Sequence, residues 1–123
     1  MPATFSNRYE AHAIPMLERE HGDQDVCLLR GALSTATFTA RRVSRSVIAM
    51  GQELDLEIKT QRRAYLAKKT SIVIEDIQCE PRQGDVLVID GEKWRVDPPD
   101  NSTPPAEEAR GGFDWRIHVQ KVL

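Results

Sequence analysis

Residues 81–96 read Pro-Arg-Gln-Gly-Asp-Val-Leu-Val-Ile-Asp-Gly-Glu-Lys-Trp-Arg-Val, and no other stretch restricts the fold as strongly. A short apolar run, 86–89, is followed by Asp90-Gly91, the dipeptide that best tolerates the positive φ angles of a two-residue hairpin turn. Residues 93–96 then return. With such a turn Leu87 faces Trp94 and Ile89 faces Glu92. Leu87, Ile89, Trp94 and Val96 therefore share one face, and Val86, Val88, Lys93 and Arg95 share the other. The first face is core. The second mixes two valines with two cations, which marks it as a face to be covered by another part of the protein or by a neighbouring subunit. Gly84-Asp85 is a second turn signal, and Pro81 cannot donate to a ladder, so the strand begins after it.

The rest of the chain supplies more strands than helices. Residues 1–8 are polar. Pro15 suits the first turn of a helix and Gly22 the position that ends one, which predicts a short docked helix at about 13–21. Residues 26–30 read as a first strand. Residues 35–43 read as a second, rich in β-branched side chains with Phe38 as core anchor. Residues 44–53 (SRSVIAMGQE) have no clean period. They read either as an extended loop offering Val47, Ile48 and Met50 as an apolar contact tip, or as a loop packed back on the barrel. Residues 54–60 alternate strictly, the pattern of a half-buried antiparallel strand. Residues 62–67 continue that strand or begin the next, and 71–74 form another short strand.

Residues 98–112 (PPDNSTPPAEEARGG) are a compositional break that cannot build a core and read as a long loop. Residues 113–119 alternate again, placing Phe113, Trp115, Ile117 and Val119 inward and Asp114, Arg116 and His118 outward. About seven short strands predict a mainly β protein, a small antiparallel barrel or sandwich with a short N-terminal helix and long loops. The 123 residues make one domain. It divides into an N-terminal arm and helix at 1–22, a barrel at 23–97 and 113–119 onward to 123, and the Pro/Gly-rich loop at 98–112.

Composition narrows the function. The chain is 40% hydrophobic and 29% charged, ordinary for a globular protein. No apolar run is long enough for a bilayer span and no signal pattern opens the chain, so neither a membrane partner nor export is expected. Cys27 and Cys79 fit no metal or redox spacing and read as small buried hydrophobes. His12, His21 and His118 have no ligand spacing. The adjacent carboxylates Glu75-Asp76 and Glu107-Glu108 are not aimed at a common substrate by adjacency alone. There is no phosphate loop and no nucleophile elbow. No enzymatic activity, cofactor or metal is expected.

Charge is uneven. Residues 41–69 hold eight cations and three acids, five cations in excess, while the chain as a whole is at −2 and its remainder therefore at −7. Arg41, Arg42, Arg45, Arg62, Arg63, Lys68 and Lys69 are the candidate DNA-facing or inter-subunit residues. A molecule with a basic and an acidic side can steer a polyanion or pair head to tail with its own copies. A nucleic-acid-binding barrel stacks bases on exposed aromatics, and the basic segment holds only Tyr65.

Several signals recur in a familiar order. Ile14-Pro-Met-Leu17 is followed by His21-Gly22-Asp23. Then come Arg62-Arg-Ala-Tyr-Leu66 and Glu80-Pro-Arg-Gln-Gly-Asp85. Asp90-Gly91 precedes Trp94-Arg-Val96, and Trp115-Arg-Ile-His-Val119 closes the series. Over most of residues 13–123 this resembles the small head–tail joining proteins of tailed bacteriophages, also called head-completion, adaptor or stopper proteins. Segments 44–53 and 98–112 match no fixed pattern of that group. The resemblance implies a structural protein of the virion neck, made in the bacterial host cytoplasm. Its copies would form a ring between portal and tail, close the DNA channel after packaging and dock the tail. The implied partners are copies of itself, a portal or adaptor protein, tail-terminator or tail proteins, and the packaged DNA. Two other readings stand beside it: another phage structural part, such as a tail terminator or minor capsid protein, and a soluble nucleic-acid-binding small β-barrel.

Overall fold

The computed structural model describes the backbone of residues 16–49, 52–55 and 61–122, and the side chains within 19–44 and 61–122. Eleven strands follow one another: β1 (Met16–Arg30), β2 (Leu33–Ser34), β3 (Phe38–Ala49), β4 (Gln52–Asp55), β5 (Arg62–Lys68), β6 (Val73–Ile74), β7 (Ile77–Gln78), β8 (Val86–Ile89), β9 (Glu92–Val96), β10 (Ala106–Ala109) and β11 (Asp114–Lys121). Six of them close on themselves in the order β1-β8-β9-β11-β5-β3 and back to β1, every pairing antiparallel. Closure removes the exposed edges that an open sheet of this size presents.

The β8–β9 hairpin has the register its sequence dictates. Leu87 pairs with Trp94 and Ile89 with Glu92, and Asp90 (φ 51°) and Gly91 (φ 79°) take the two left-handed positions of the turn. Leu87, Ile89, Trp94 and Val96 are at most 3% exposed. They meet Val26 and Leu28 of β1, Phe38 and Ala40 of β3, Tyr65 and Ala67 of β5, and Ile117 and Val119 of β11 in one core. A Cβ on Gly91 would touch nothing, so the cost of a side chain there is backbone strain alone. Gly91→Ala is expected to lower stability by about 1–2 kcal/mol. An unchanged denaturation midpoint would show that the turn is not under that constraint.

The N-terminal segment departs from the expected helix. Residues 16–21 are strand, the first part of β1, which pairs with β3 from Met16↔Val47 to Val26↔Phe38; residues 13–15 lie outside the described residues. A nine-residue helix is marginal by itself, whereas the ladder to the long, β-branched β3 satisfies the same backbone groups. Gly22 ends no helix. It sits with His21 in a β-bulge, where the register slips between Glu20 and Asp23.

Segment 44–53 is strand wherever it is described: β3 continues through Ala49 and pairs with β4, with Val47↔Leu54 and Ile48↔Glu53. Val47 and Ile48 are thus strand residues, and Met50 lies outside the described residues. The strand expected at 54–60 is described only as far as Asp55. Because β5 pairs β3 only over 40–43 and β8 pairs β1 only over 26–29, residues 16–20, 44–49 and 52–55 continue past the barrel as a three-stranded ribbon. At the usual strand rise the six residues beyond Val43 carry it roughly 20 Å.

Two smaller differences follow the same logic. Residues 98–112 are not one structureless loop: β10 pairs with β11 through Ala106↔Ile117 to Ala109↔Asp114. The remaining turn at 100–103 is held by Asp100, whose side chain accepts from the backbone amides of Ser102 and Thr103, each at 2.8 Å. On β11, Ile117 and Val119 are core, but Phe113 precedes the strand and is 79% exposed. His118 faces away from the core yet is only 7% exposed, its Nε2 lying 2.5 Å from Glu107 Oε1 on the added strand.

Candidate functional site

The barrel has two unlike poles. At one, beyond the end of β5, the β6–β7 hairpin folds over the opening and sends Ile72 and Ile74 into the core as a plug. Its turn residues Glu75 and Asp76 both have positive φ, the geometry of a two-residue hairpin turn. Around this pole stand the large exposed apolar side chains Leu33 (41%), Ile77 (68%) and Phe113. An open groove of about 930 Å³ beside it is lined by Phe38, Leu66 and Lys68 and by the acidic turn Glu75-Asp76.

The other pole holds the Asp90-Gly91 turn and the base of the ribbon. Here the inner face changes from apolar to charged. Along β3, Phe38 and Ala40 are followed on the same face by Arg42, and along β5, Ala67 and Tyr65 are followed by Arg63. Both arginines line a shallow, open depression of about 380 Å³ with His21, Gln24, Asp90 and Glu92. The Arg63 guanidinium lies 4.2 Å from the centre of the Trp94 ring and donates to Tyr65 Oη at 3.0 Å. Lys121 Nζ pairs with Glu92 at 2.7 Å, and that hydrogen bond holds the Glu92 carboxyl below the usual range.

The basic segment is divided, not gathered. Arg41 is on the outer face of β3, donating to Glu20 and Asp23 at 3.0 Å each. Arg110 also reaches Glu20, and from the same guanidinium group Asp114 at 3.5 Å, so this ionic lattice ties β1, β3 and β11 together across the outer face. Hydrogen bonding from Arg41 is the main reason the Glu20 carboxyl stays below its ordinary range. Arg62 clamps the start of the 97–105 loop, donating to Asp97 Oδ2 at 3.0 Å and to the Pro98 carbonyl at 3.2 Å. Lys69 pairs with Glu108 at 3.3 Å and lies 4.4 Å from the centre of the Trp115 ring. Lys68 is exposed at the plugged pole. The backbone of Arg45 is in the ribbon, in register with Glu18. Among the described side chains, Arg42 and Arg63 meet at the charged mouth, and Arg41 and Lys68 both line the groove by the plugged pole.

Val86 and Val88 are half-buried on the outer face, in register with Arg95 and Lys93 and with Leu29 and Cys27 of β1. They form an apolar strip edged by exposed cations. Cys27 and Cys79 are both free and partly buried. Among the described residues no group of three His, Cys, Asp or Glu side chains is placed to hold a metal ion, and no helix is long and apolar enough to cross a membrane.

Sequence reasoning passed over two features. One is the bidentate pair between Arg30 and Asp85, at 3.0 and 2.8 Å. The other is the inward pair Arg42 and Arg63, although the period of two through Phe38-x-Ala40-x-Arg42 and Arg63-x-Tyr65-x-Ala67 already carries it.

Fold and site together define a class: a closed six-stranded antiparallel barrel, plugged at one pole and charged at the other, with a β-ribbon extending from the charged pole. Compared with protein-family models, with curated proteins and with solved structures, the chain gives no significant match to any.

Proposed function

We propose that this protein is a ring-forming subunit of a phage neck, seated between portal and tail, where the ring closes the DNA channel and docks the tail. The observation that carries the reading is the ribbon. A closed barrel has no edge to offer a neighbour, and the ribbon restores one. Among the described residues, the outer edge of β1 over 16–20 has no partner strand in the barrel, and β4 is paired only with β3. A rigid body with one protruding, edge-bearing arm suits a heterologous head-to-tail contact that closes into a ring. The two poles suit a part stacked between two different partners, one meeting exposed Leu33, Ile77 and Phe113, the other a charged mouth. The half-buried Val86/Val88 strip with Lys93 and Arg95 offers a further side contact.

A soluble nucleic-acid-binding barrel has less support. Trp94 and Tyr65 are in the core, Trp115 is half-buried, and Arg41, Arg62 and Lys69 of the basic segment are paired within the chain. Contact of Arg42, Arg45 or Lys68 with packaged DNA remains part of the neck proposal, made through phosphates and not through stacking.

Removing the gene from the phage that carries it tests the proposal. Filled heads and finished tails that fail to join, rescued by the chain supplied in trans, are the expected result. Normal virions without the protein would overturn it.

A further inference from the structure

The geometry points to the charged mouth of the barrel as a binding site for a single carboxylate with an amide N–H beside it, the group presented by a peptide chain end or an N-acylated amino acid. Among the described residues, each acid lining the depression already has a cation or a donor. Asp23 accepts from Arg41 at 3.0 Å, Asp90 from Gln24 Nε2 at 3.2 Å and Glu92 from Lys121 at 2.7 Å. The cations facing inward do not share that state. Arg63 is braced by the Trp94 face and the Tyr65 hydroxyl and forms no direct ion pair among the described residues, although its charge also acts on Glu92, which Lys121 already holds. Arg42 has neither a hydrogen bond nor an ion pair among them, and its Nε is buried without an acceptor.

A buried guanidinium N–H without an acceptor is costly unless something supplies one. Two adjacent strands thus hold two guanidinium groups, one rigidly stacked and one with its Nε unsatisfied, on one open depression at the mouth. That pairing matches the fork geometry by which arginine takes a carboxylate. The neighbouring Asp90 and Glu92 disfavour a dianion or a polyanion at the same place, which separates this ligand from a phosphate or a nucleic-acid backbone. Gln24 adds the second half of the recognition. Its Nε2 is committed to Asp90, while its Oε1 is buried with no donor. An amide N–H next to the carboxylate satisfies that oxygen. The inference stands independently of the neck reading.

The test is a titration of the full-length, ¹⁵N-labelled protein with N-acetylglycine, acetate and inorganic phosphate, followed at the arginine Nε–H and tryptophan indole N–H resonances. N-acetylglycine is expected to shift the Arg42 and Arg63 signals saturably, about tenfold more tightly than acetate. Phosphate is expected to bind more weakly than either. Arg42→Gln is expected to abolish saturation. Arg42→Lys, which keeps the charge and loses the fork, is expected to retain weakened binding and covers the case in which the glutamine variant fails to fold. Shifts that never saturate, that survive in both variants, or that favour phosphate would overturn the inference. Sedimentation of the same protein assigns the source. Self-association dispersed by N-acetylglycine identifies a chain end of a second copy, and a monomer throughout identifies that of another polypeptide.

Discussion

Asp85→Ala is expected to lower the free energy of unfolding by about 3 kcal/mol, and the melting temperature by roughly 10 °C for a domain of this size. Asp85 is 4% exposed and its carboxylate takes three hydrogen bonds: from Arg30 Nε at 3.0 Å, from Arg30 Nη2 at 2.8 Å and from the Arg82 backbone amide at 2.8 Å. Its own backbone closes a turn to the Arg82 carbonyl and accepts from Val96 at 2.7 Å. One residue thereby fixes the end of β1, the 80–85 turn and the end of β9. Alanine leaves Arg30 Nε and the Arg82 amide without acceptors, while Arg30 Nη2 keeps the Glu80 carbonyl at 2.8 Å. The Arg30 side chain is 24% exposed and regains some water, which puts the cost at the lower end for a broken buried pair. Asp85→Asn keeps one acceptor and is expected to lose about half as much. Urea unfolding measures both. A loss under about 1 kcal/mol for the alanine variant would mean the pair is no stronger than a surface one.

The second large effect is functional and concerns the ribbon. Exchanging residues 46–61 for Asn-Gly joins β3 directly to β5 as a two-residue hairpin that keeps the existing pairing Val43↔Ala64 in register. The core cluster among the described side chains is drawn from 26–40, 65–96 and 117–119. The barrel is therefore expected to stay folded with near-native melting, while complementation of infectious particles falls to background. Full complementation by the shortened chain would remove the ribbon as the neighbour-binding arm. A chain that no longer folds would show that the segment belongs to the core and would overturn its reading as a separate arm.

What the sequence made legible was local. The Asp-Gly turn sets the β8–β9 register, and one correct register places Leu87, Ile89, Trp94 and Val96 on the core side together. The alternation of Ile117 and Val119 is equally plain. The errors arose where distant pairing decides. Residues 16–21 carry helix boundary signals, and only the length of β3, some 25 residues on, turns them into strand. Segment 44–53 has no clean period, and only its pairing with β1 and β4, beyond the span where β5 pairs β3, makes its described residues strand. His118 sits on the outer face as its alternation demands, but β10, a strand drawn from a Pro-rich stretch, covers it. The basic segment read as one patch because charge was summed along the chain. Alternate residues of β3 and β5 point to opposite faces, so Arg41 and Arg42 serve different sites.

The neck assignment is tested most directly by the number of copies of this protein in purified particles, measured by quantitative mass spectrometry against the major capsid protein. The account predicts one ring's worth in each particle. Hundreds of copies would place the chain in the shell or tail tube, and complete absence from the particle would contradict the structural role.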